Sequence, residues 1–242
     1  MSLPPLANLL DALVTHFDGW QIVAEGKHEV QALEGEFVDI AGSYDLKYSV
    51  HLPVSDMNIA SLNRRIRSTS ISESAETMRR AAGMGIHTFV VHPGTHSILS
   101  ADGSERAFLL AREGIRTLAA LSKSMGTELL VENTPSVSGS VAPTSKSMQS
   151  LITGLPVGIC LDVAHASLDG ELAGFLGMGG RTGMIHLSDN DGHRDTHAQL
   201  GTGSAAGREM LSLISKMGLP AVIEARSIDE AISGRAYVES LL

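Results

Sequence analysis

The chain is poor in cysteine, in aromatic side chains and in positive charge. One cysteine, Cys160, stands in 242 residues, so an internal disulfide is excluded. Set inside the strand-like run Val157–Leu161, that thiol reads as a small buried core residue, and a reducing, cytoplasmic setting is expected. No apolar run is long enough to span a bilayer. The start, Met1-Ser2-Leu3-Pro4-Pro5, lacks the basic region and apolar core of a secretory leader. Lys and Arg number 18 against 27 Asp and Glu, a formal charge of −9. An acidic surface repels phosphate backbones, which disfavours nucleic acid as a partner. The basic spots Arg64-Arg65-Ile66-Arg67 and Arg79-Arg80 read as solvated helix surface.

What is present is a repeated pattern. Seven apolar runs each lead to a carboxylate or a histidine: Glu25, His51, His92, Glu132, Asp162, His186 and Glu224. These residues lie 24 to 41 positions apart, roughly one βα unit of a barrel. Short β-rich runs separated by helix-length segments predict parallel strands with crossover helices. Strands are expected at Trp20–Ala24, Lys47–His51, Thr88–His92, Glu128–Glu132, Val157–Asp162, Gly183–Leu187 and Pro220–Ala225. Helices are expected over residues 6–17, within 28–43, and over 71–84, 104–125, 145–153, 172–176, 206–217 and 228–242. The fold class is therefore α/β, a TIM-type (β/α) barrel in one domain over residues 1–242.

Seven strands are one short of a closed barrel. The first strand is either missing or reduced to Ser2–Leu3, which leaves an opening between the first and last runs. An opening exposes unpaired strand edges, so the N-terminal residues or another copy of the chain, in a homo-oligomer, are expected to cover it.

In a parallel barrel the C-terminal strand ends share one face, and that face carries the chemistry. Further candidates lie beside the strand ends. Asp162 and His165 are three residues apart on one side of the first turn after a strand. Asp195 and His197, two apart, point the same way in an extended segment. Together with His51, His92, Glu132, His186 and Glu224 this makes nine metal-ligand types. The set combines imidazole and carboxylate without thiolate, which suits Zn²⁺, Mn²⁺ or Fe²⁺ and argues against a closed structural zinc site.

The segments Ser49-Val50-His51-Leu52-Pro53, Val90-Val91-His92-Pro93-Gly94, Val131-Glu132-Asn133-Thr134, Cys160-Leu161-Asp162-Val163-Ala164-His165, His186-Leu187-Ser188-Asp189, Asp195-Thr196-His197 with Gly201-Thr202-Gly203, and Ile223-Glu224 resemble, in order, the motif series of the xylose isomerase-like TIM barrels. That superfamily includes endonuclease IV (the AP endonuclease family 2) and sugar or sugar-phosphate isomerases and epimerases. The resemblance runs from about residue 20 to 226. It implies one metal on Glu132, Asp162, His186 and Glu224, with Glu132 and Glu224 as the proton-transferring pair. In endonuclease IV, three zinc ions use those four positions plus those matching His51, His92, His165, Asp195 and His197, and all nine residues are present here. One departure points away from the nuclease: no aromatic follows His51 in Leu52-Pro53-Val54-Ser55-Asp56-Met57-Asn58, where endonuclease IV carries a DNA-entering tyrosine. Wedge residues and phosphate contacts are what DNA recognition needs.

The resulting expectation is a metal-dependent sugar or sugar-phosphate isomerase or epimerase with one ion and up to three. The alternatives are an endonuclease IV-like phosphodiester hydrolase and a metal-binding barrel without catalysis. His51 and His92 either ligate metal or hold substrate. Glu25, Asn133 and His96 are assigned to substrate binding; against this, Glu25 reads equally as a loop anchor, and Asn133 as the group orienting Glu132. His16, His28, His87 and His193 are structural or solvent-facing. Gly201-Thr202-Gly203 is a plain turn or a phosphate-binding loop.

Overall fold

A computed structural model describes residues 6–96 and 103–242. Seven strands form one parallel sheet in chain order: β1 (Gly19–Val23), β2 (Lys47–His51), β3 (Thr88–Val91), β4 (Glu128–Glu132), β5 (Gly158–Asp162), β6 (Thr182–Leu187) and β7 (Ala221–Ile223). The sheet curls into a nearly closed barrel with helices outside it. Strands β3 to β6 carry continuous apolar stretches because helices cover one face and the barrel interior covers the other.

Period-2 alternation sorts each strand into two sets. Ile22, Val50, Phe89, Leu129, Val131, Ile159, Leu161 and Ile185 join the main core between sheet and helices. Val90, Leu130, Cys160 and Met184 form a separate buried layer inside the barrel, with Val222 against it. Each of these five lies two residues before His92, Glu132, Asp162, His186 or Glu224, so the same alternation aims those side chains inward one step nearer the C-terminal face. Gly158 and Gly183 keep the interior narrow: a Cβ at either would meet Leu130 Cδ2 at 2.6 or 2.9 Å.

The helices are α1 (Leu6–Val14), α2 (Val30–Ile40), α3 (Arg64–Gly83), α4 (Gly103–Met125), α5 (Ser145–Ile152), α6 (Val163–Leu168), α7 (Leu172–Leu176), α8 (Arg208–Ser215) and α9 (Ile228–Leu241). Helix α3 starts seven residues earlier than its periodicity predicts. Asn63 caps it, with its side chain accepting from the backbone N–H groups of Arg65 and Ile66. Such a cap offsets the unpaired donors of the first turn. The early turns carry Arg64, Arg65 and Arg67, which mask the apolar stripe. Helix α6 escapes sequence inspection because six residues hold less than two turns of periodicity.

Among the described residues, hydrogen-bonded ladders join each strand to the next from β1 to β7, and none joins β7 back to β1. The expected opening is therefore present. A cleft of about 1840 Å³ runs from the C-terminal face into this seam, where Leu9, Trp20, Gln21, Val222 and Val238 line it. Gln21 reaches across the interior, donating to Ser49 Oγ at 3.4 Å and approaching Met184 Sδ at 3.1 Å. The proposed cover by Ser2–Leu3 lies outside the described residues.

Candidate active site and metal centre

The nine candidate ligands form three touching groups at the C-terminal end of the barrel. Glu132, Asp162, His186 and Glu224 make one; His51, His92 and Glu132 a second; His165, Asp195 and His197 a third. Within each group the ligand atoms lie within 4.8 Å of one another. Glu132 is the hub. Its Oε2 lies 3.0 Å from His51 Nε2, 3.5 Å from His92 Nε2 and 3.4 Å from His186 Nδ1, while Oε1 lies 3.3 Å from His165 Nδ1. Glu224 Oε1 approaches His186 Nδ1 at 3.0 Å, and Oε2 approaches His197 Nδ1 at 3.4 Å. Asp195 Oδ2 joins His165 Nε2 at 3.0 Å to His197 Nε2 at 3.3 Å.

Local backbone features hold these groups. Asp162 ends β5 and caps α6. One of its oxygens accepts from His165 N at 2.6 Å, and Oδ2 is buried with no hydrogen-bond partner. This explains the three-residue spacing of Asp162 and His165. Two histidines have their protons placed by carbonyls, which can only accept: His51 Nδ1 donates to Leu52 O and His165 Nδ1 to Asn133 O, both at 2.9 Å. Each Nε2 faces a carboxylate oxygen at 3.0 Å, Glu132 Oε2 for His51 and Asp195 Oδ2 for His165. In the metal-free protein both ring nitrogens therefore face acceptors and the imidazolium form is favoured; loss of the Nε2 proton frees the lone pair that a metal ligand needs. His197 sits at φ 43°, a left-handed conformation costly for a side-chain-bearing residue and common at functional sites.

Charge compensates charge throughout. Burial alone would raise the Glu132 carboxyl, but His186, His92 and His165 together hold it well below the usual range. The same contest, with His186 and His197 on the opposing side, lowers Glu224. Burial lifts Asp162 to about 7, against the charge of His165. His165 is raised to about 12 despite its burial, by Asp162, Asp195 and Glu132. Hydrogen bonds to Asp195 and Glu224 raise His197 to about 10. Burial lowers His92.

The residues fit a divalent cation. Asp162 Oδ2, Glu224 Oε2, Asp195 Oδ1 and both ring nitrogens of His186 are buried polar atoms without hydrogen-bond partners. Buried polar atoms are rarely left so, and here they converge on one region. Four carboxylates and five imidazoles supply the oxygen and nitrogen donors that Zn²⁺, Mn²⁺ or Fe²⁺ accepts.

Other expected site residues are placed differently. The Glu25 carboxylate accepts from Val54 N, from Ser55 N at 2.5 Å and from Ser55 Oγ at 2.6 Å, so it anchors the loop after β2. Asn133 turns both amide functions to the Asp162 backbone, donating to its O at 2.9 Å and accepting from its N at 2.8 Å. His96 donates its backbone N–H to Gly139 O at 2.9 Å and does not line the cleft. The amides of Gly201 and Gly203 are occupied by Asp189 Oδ2 at 3.0 and 2.9 Å, so this segment is a carboxylate-bound turn and not a phosphate loop. His28 packs edge-on against Trp20, with ring centroids 5.4 Å apart.

Sequence reasoning passed over two organising residues. Asp189, fully buried, also accepts from Ala205 N at 2.8 Å and Asn190 N at 3.1 Å. The Gly-Thr-Gly that encloses it was the available signal. Arg226 donates to Thr196 O at 2.6 Å, between Asp195 and His197; nothing in its sequence context marks it.

Comparison with known proteins agrees with this architecture. Residues 10–241 match the family described as xylose isomerase-like TIM barrel, and the chain belongs to it. It is 25% identical to an uncharacterized protein of Methanocaldococcus jannaschii over 98% of this chain and 85% of that protein. It is 26% identical to a probable endonuclease 4 of Mycobacterium leprae over 77% of this chain and 75% of that protein. Among solved structures, a D-tagatose 3-epimerase-like protein superposes with a TM-score of 0.85 at 25% identity, covering 93% of this chain and 88% of that one.

Proposed function

We propose that the chain is a divalent-metal-dependent sugar or sugar-phosphate isomerase or epimerase that works by proton transfer. The observation that carries this reading is the approach of two carboxylates, Glu132 and Glu224, to the same atom, His186 Nδ1, at 3.4 and 3.0 Å inside one cleft. Glu132, Asp162, His186 and Glu224 would hold the ion, which supplies Lewis-acid polarisation of a carbonyl and its neighbouring hydroxyl and so acidifies the C–H between them. Glu132 and Glu224 are both kept ionised by adjacent histidines, the state a general base requires. One of them removes the proton, and the pair returns it to the same or the opposite face. Glu132 lies deep, with its side chain 1% exposed, whereas Glu224 at 17% borders the opening. His51 and His92 flank Glu132, in place to bind substrate hydroxyls or a further ion. The cytoplasm is the proposed site of action, in keeping with a single reduced cysteine.

The test is solvent deuterium incorporation. Candidate ketoses, aldoses and their phosphates are incubated with the metal-loaded protein in D₂O and read by NMR. Exchange at one carbon is expected, lost in Glu132→Gln and Glu224→Gln variants that still retain metal.

A second reading has its own observation. The grouping of His51 with His92 and of His165 with Asp195 and His197, each around space next to the central four, supports a three-ion phosphodiester hydrolase of the endonuclease IV type. Elemental analysis separates the readings: one ion per chain favours isomerisation, three favour hydrolysis. Metal-loaded protein inert in both assays would favour a non-catalytic barrel.

A further inference from the structure

Among the described residues, Cys160 is a reactive group within the barrel that the proposed chemistry does not use. It lies on β5 two residues before Asp162, so its side chain points into the same interior. The parallel register sets Cys160 beside Glu132 on β4 and Met184 on β6. Its sulfur, one Glu132 oxygen and one His186 nitrogen lie within 4.8 Å of one another. Cys160 and His186 are 0% exposed and Glu132 is 1% exposed. Neither ring nitrogen of His186 has a hydrogen-bond partner, although Glu224 Oε1 approaches Nδ1 at 3.0 Å as a charge contact.

We propose that Cys160, His186 and Glu132 form a second cation site, one layer deeper than the Glu132–Asp162–His186–Glu224 group, which takes a soft, thiophilic divalent ion such as Cd²⁺. Three arguments support it. Thiolate selects soft ions, whereas the carboxylate-rich upper group suits harder ones. Bonds to a tetrahedral Zn²⁺ of about 2.0–2.3 Å separate ligand atoms by roughly 3.3–3.8 Å, and the larger Cd²⁺ accepts wider spacing, so small side-chain shifts bring the trio into range. One thiolate, one carboxylate and a neutral imidazole also balance a dication to zero, which removes the main penalty for burying charge. Binding exchanges the S–H bond for a metal–sulfur bond and releases the proton to solvent, with no redox change. Because Glu132 and His186 belong to both groups, a soft ion below and a hard ion above exclude each other.

Metal-stripped wild-type protein is titrated with Cd²⁺ while the ultraviolet sulfur-to-cadmium charge-transfer absorption is followed, and ¹¹³Cd NMR reports the donor set. One Cd²⁺ per chain carrying the charge-transfer band is expected. Cys160→Ser and Cys160→Ala should lose the band and bind Cd²⁺ on the order of tenfold more weakly, with Mn²⁺ affinity at the wild-type level. Cd²⁺ should also release pre-bound Mn²⁺, read by the paramagnetic resonance of the free ion. Cd²⁺ binding without a sulfur band in the wild-type protein overturns the proposal, and this spectrum decides the matter even if both variants fold poorly. Because the readout involves no sugar, it stands apart from the test of the isomerase reading.

Discussion

Asn133 and Asp162, at the tips of neighbouring strands, are joined by two reciprocal hydrogen bonds: Asn133 Nδ2 donates to Asp162 O and Asp162 N donates to Asn133 Oδ1, at 2.9 and 2.8 Å. The pair continues the β4–β5 ladder one step past its last backbone bond. It fixes where the Asp162 side chain leaves the sheet. Asn133→Ala would leave a buried N–H and a buried C=O without partners. It should cost about 1–3 kcal/mol in urea denaturation, and metal affinity should fall on the order of 10–100-fold in a chelator competition. Unchanged affinity would mean that Asp162 is positioned by its helix-capping bond alone.

The metal-free protein should lose stability as pH rises above neutrality. His197 is raised to about 10 and His165 to about 12 in the folded state, against about 6.5 in an unfolded chain. Each stabilising contribution is complete below about 6.5 and is lost as pH climbs to the folded value. Asp162, raised to about 7, adds a loss of the same sign between about 4 and 7. The opposite slope, from Glu132 and Glu224 lowered in the fold, appears only as pH falls below about 4.5. Thermal melts of stripped protein should therefore decline from pH 6.5 to 10. Metal binding near neutrality should release protons, measurable by calorimetry in buffers of different ionisation enthalpy.

Asp189 accepts from four backbone N–H groups, two on each oxygen. In Asp189→Asn, whichever way the amide is turned, its NH₂ faces two donors. A loss of about 1–3 kcal/mol is expected in denaturation. Because the loop between Asp189 and Ala205 carries Asp195 and His197, metal stoichiometry or affinity should fall with it. Elemental analysis of the folded variant checks this.

Much of this site was legible in the sequence, and the reason is geometric. A parallel barrel turns strand ends into one face, so residues far apart in sequence, such as His51 and Glu224, could be grouped from periodicity alone. The opening between the first and last strands was legible too, since only seven runs lead to a carboxylate or histidine and a closed barrel of this type has eight strands. What escaped was the destination of individual hydrogen bonds. Glu25 ends a strand as Glu132 does, yet Val54 and Ser55 capture it. Gly201 and Gly203 have the composition of an anion-binding turn, and their anion is Asp189 of the same chain. Short helices and caps such as Asn63 depend on a single side chain, and no period announces them.

Binding to abasic duplex DNA should be weak at physiological salt. The chain carries a formal charge of −9, and no aromatic follows His51 before Asn58. A nuclease would lose affinity steeply with added salt through counterion release. Titration of abasic and intact duplexes at two salt concentrations, with a strand-cleavage assay alongside, provides the check. Tight, abasic-selective binding with metal-dependent incision would replace the isomerase reading with the hydrolase one.

The seam between β7 and β1 gives the site a mechanical asymmetry. In a closed barrel, strand number and shear fix the circumference. Among the described residues the ring is split between β7 and β1, and β7, three residues long, pairs with β6 only. Glu132 and Asp162 stand on strands braced from both sides, while Glu224 rides on the strand beside the split. His186 stands between the two sides, 3.4 Å from Glu132 on a doubly paired strand and 3.0 Å from Glu224 at the end of a singly paired one, so the ligand set draws on one wall with two neighbours and one with a single neighbour.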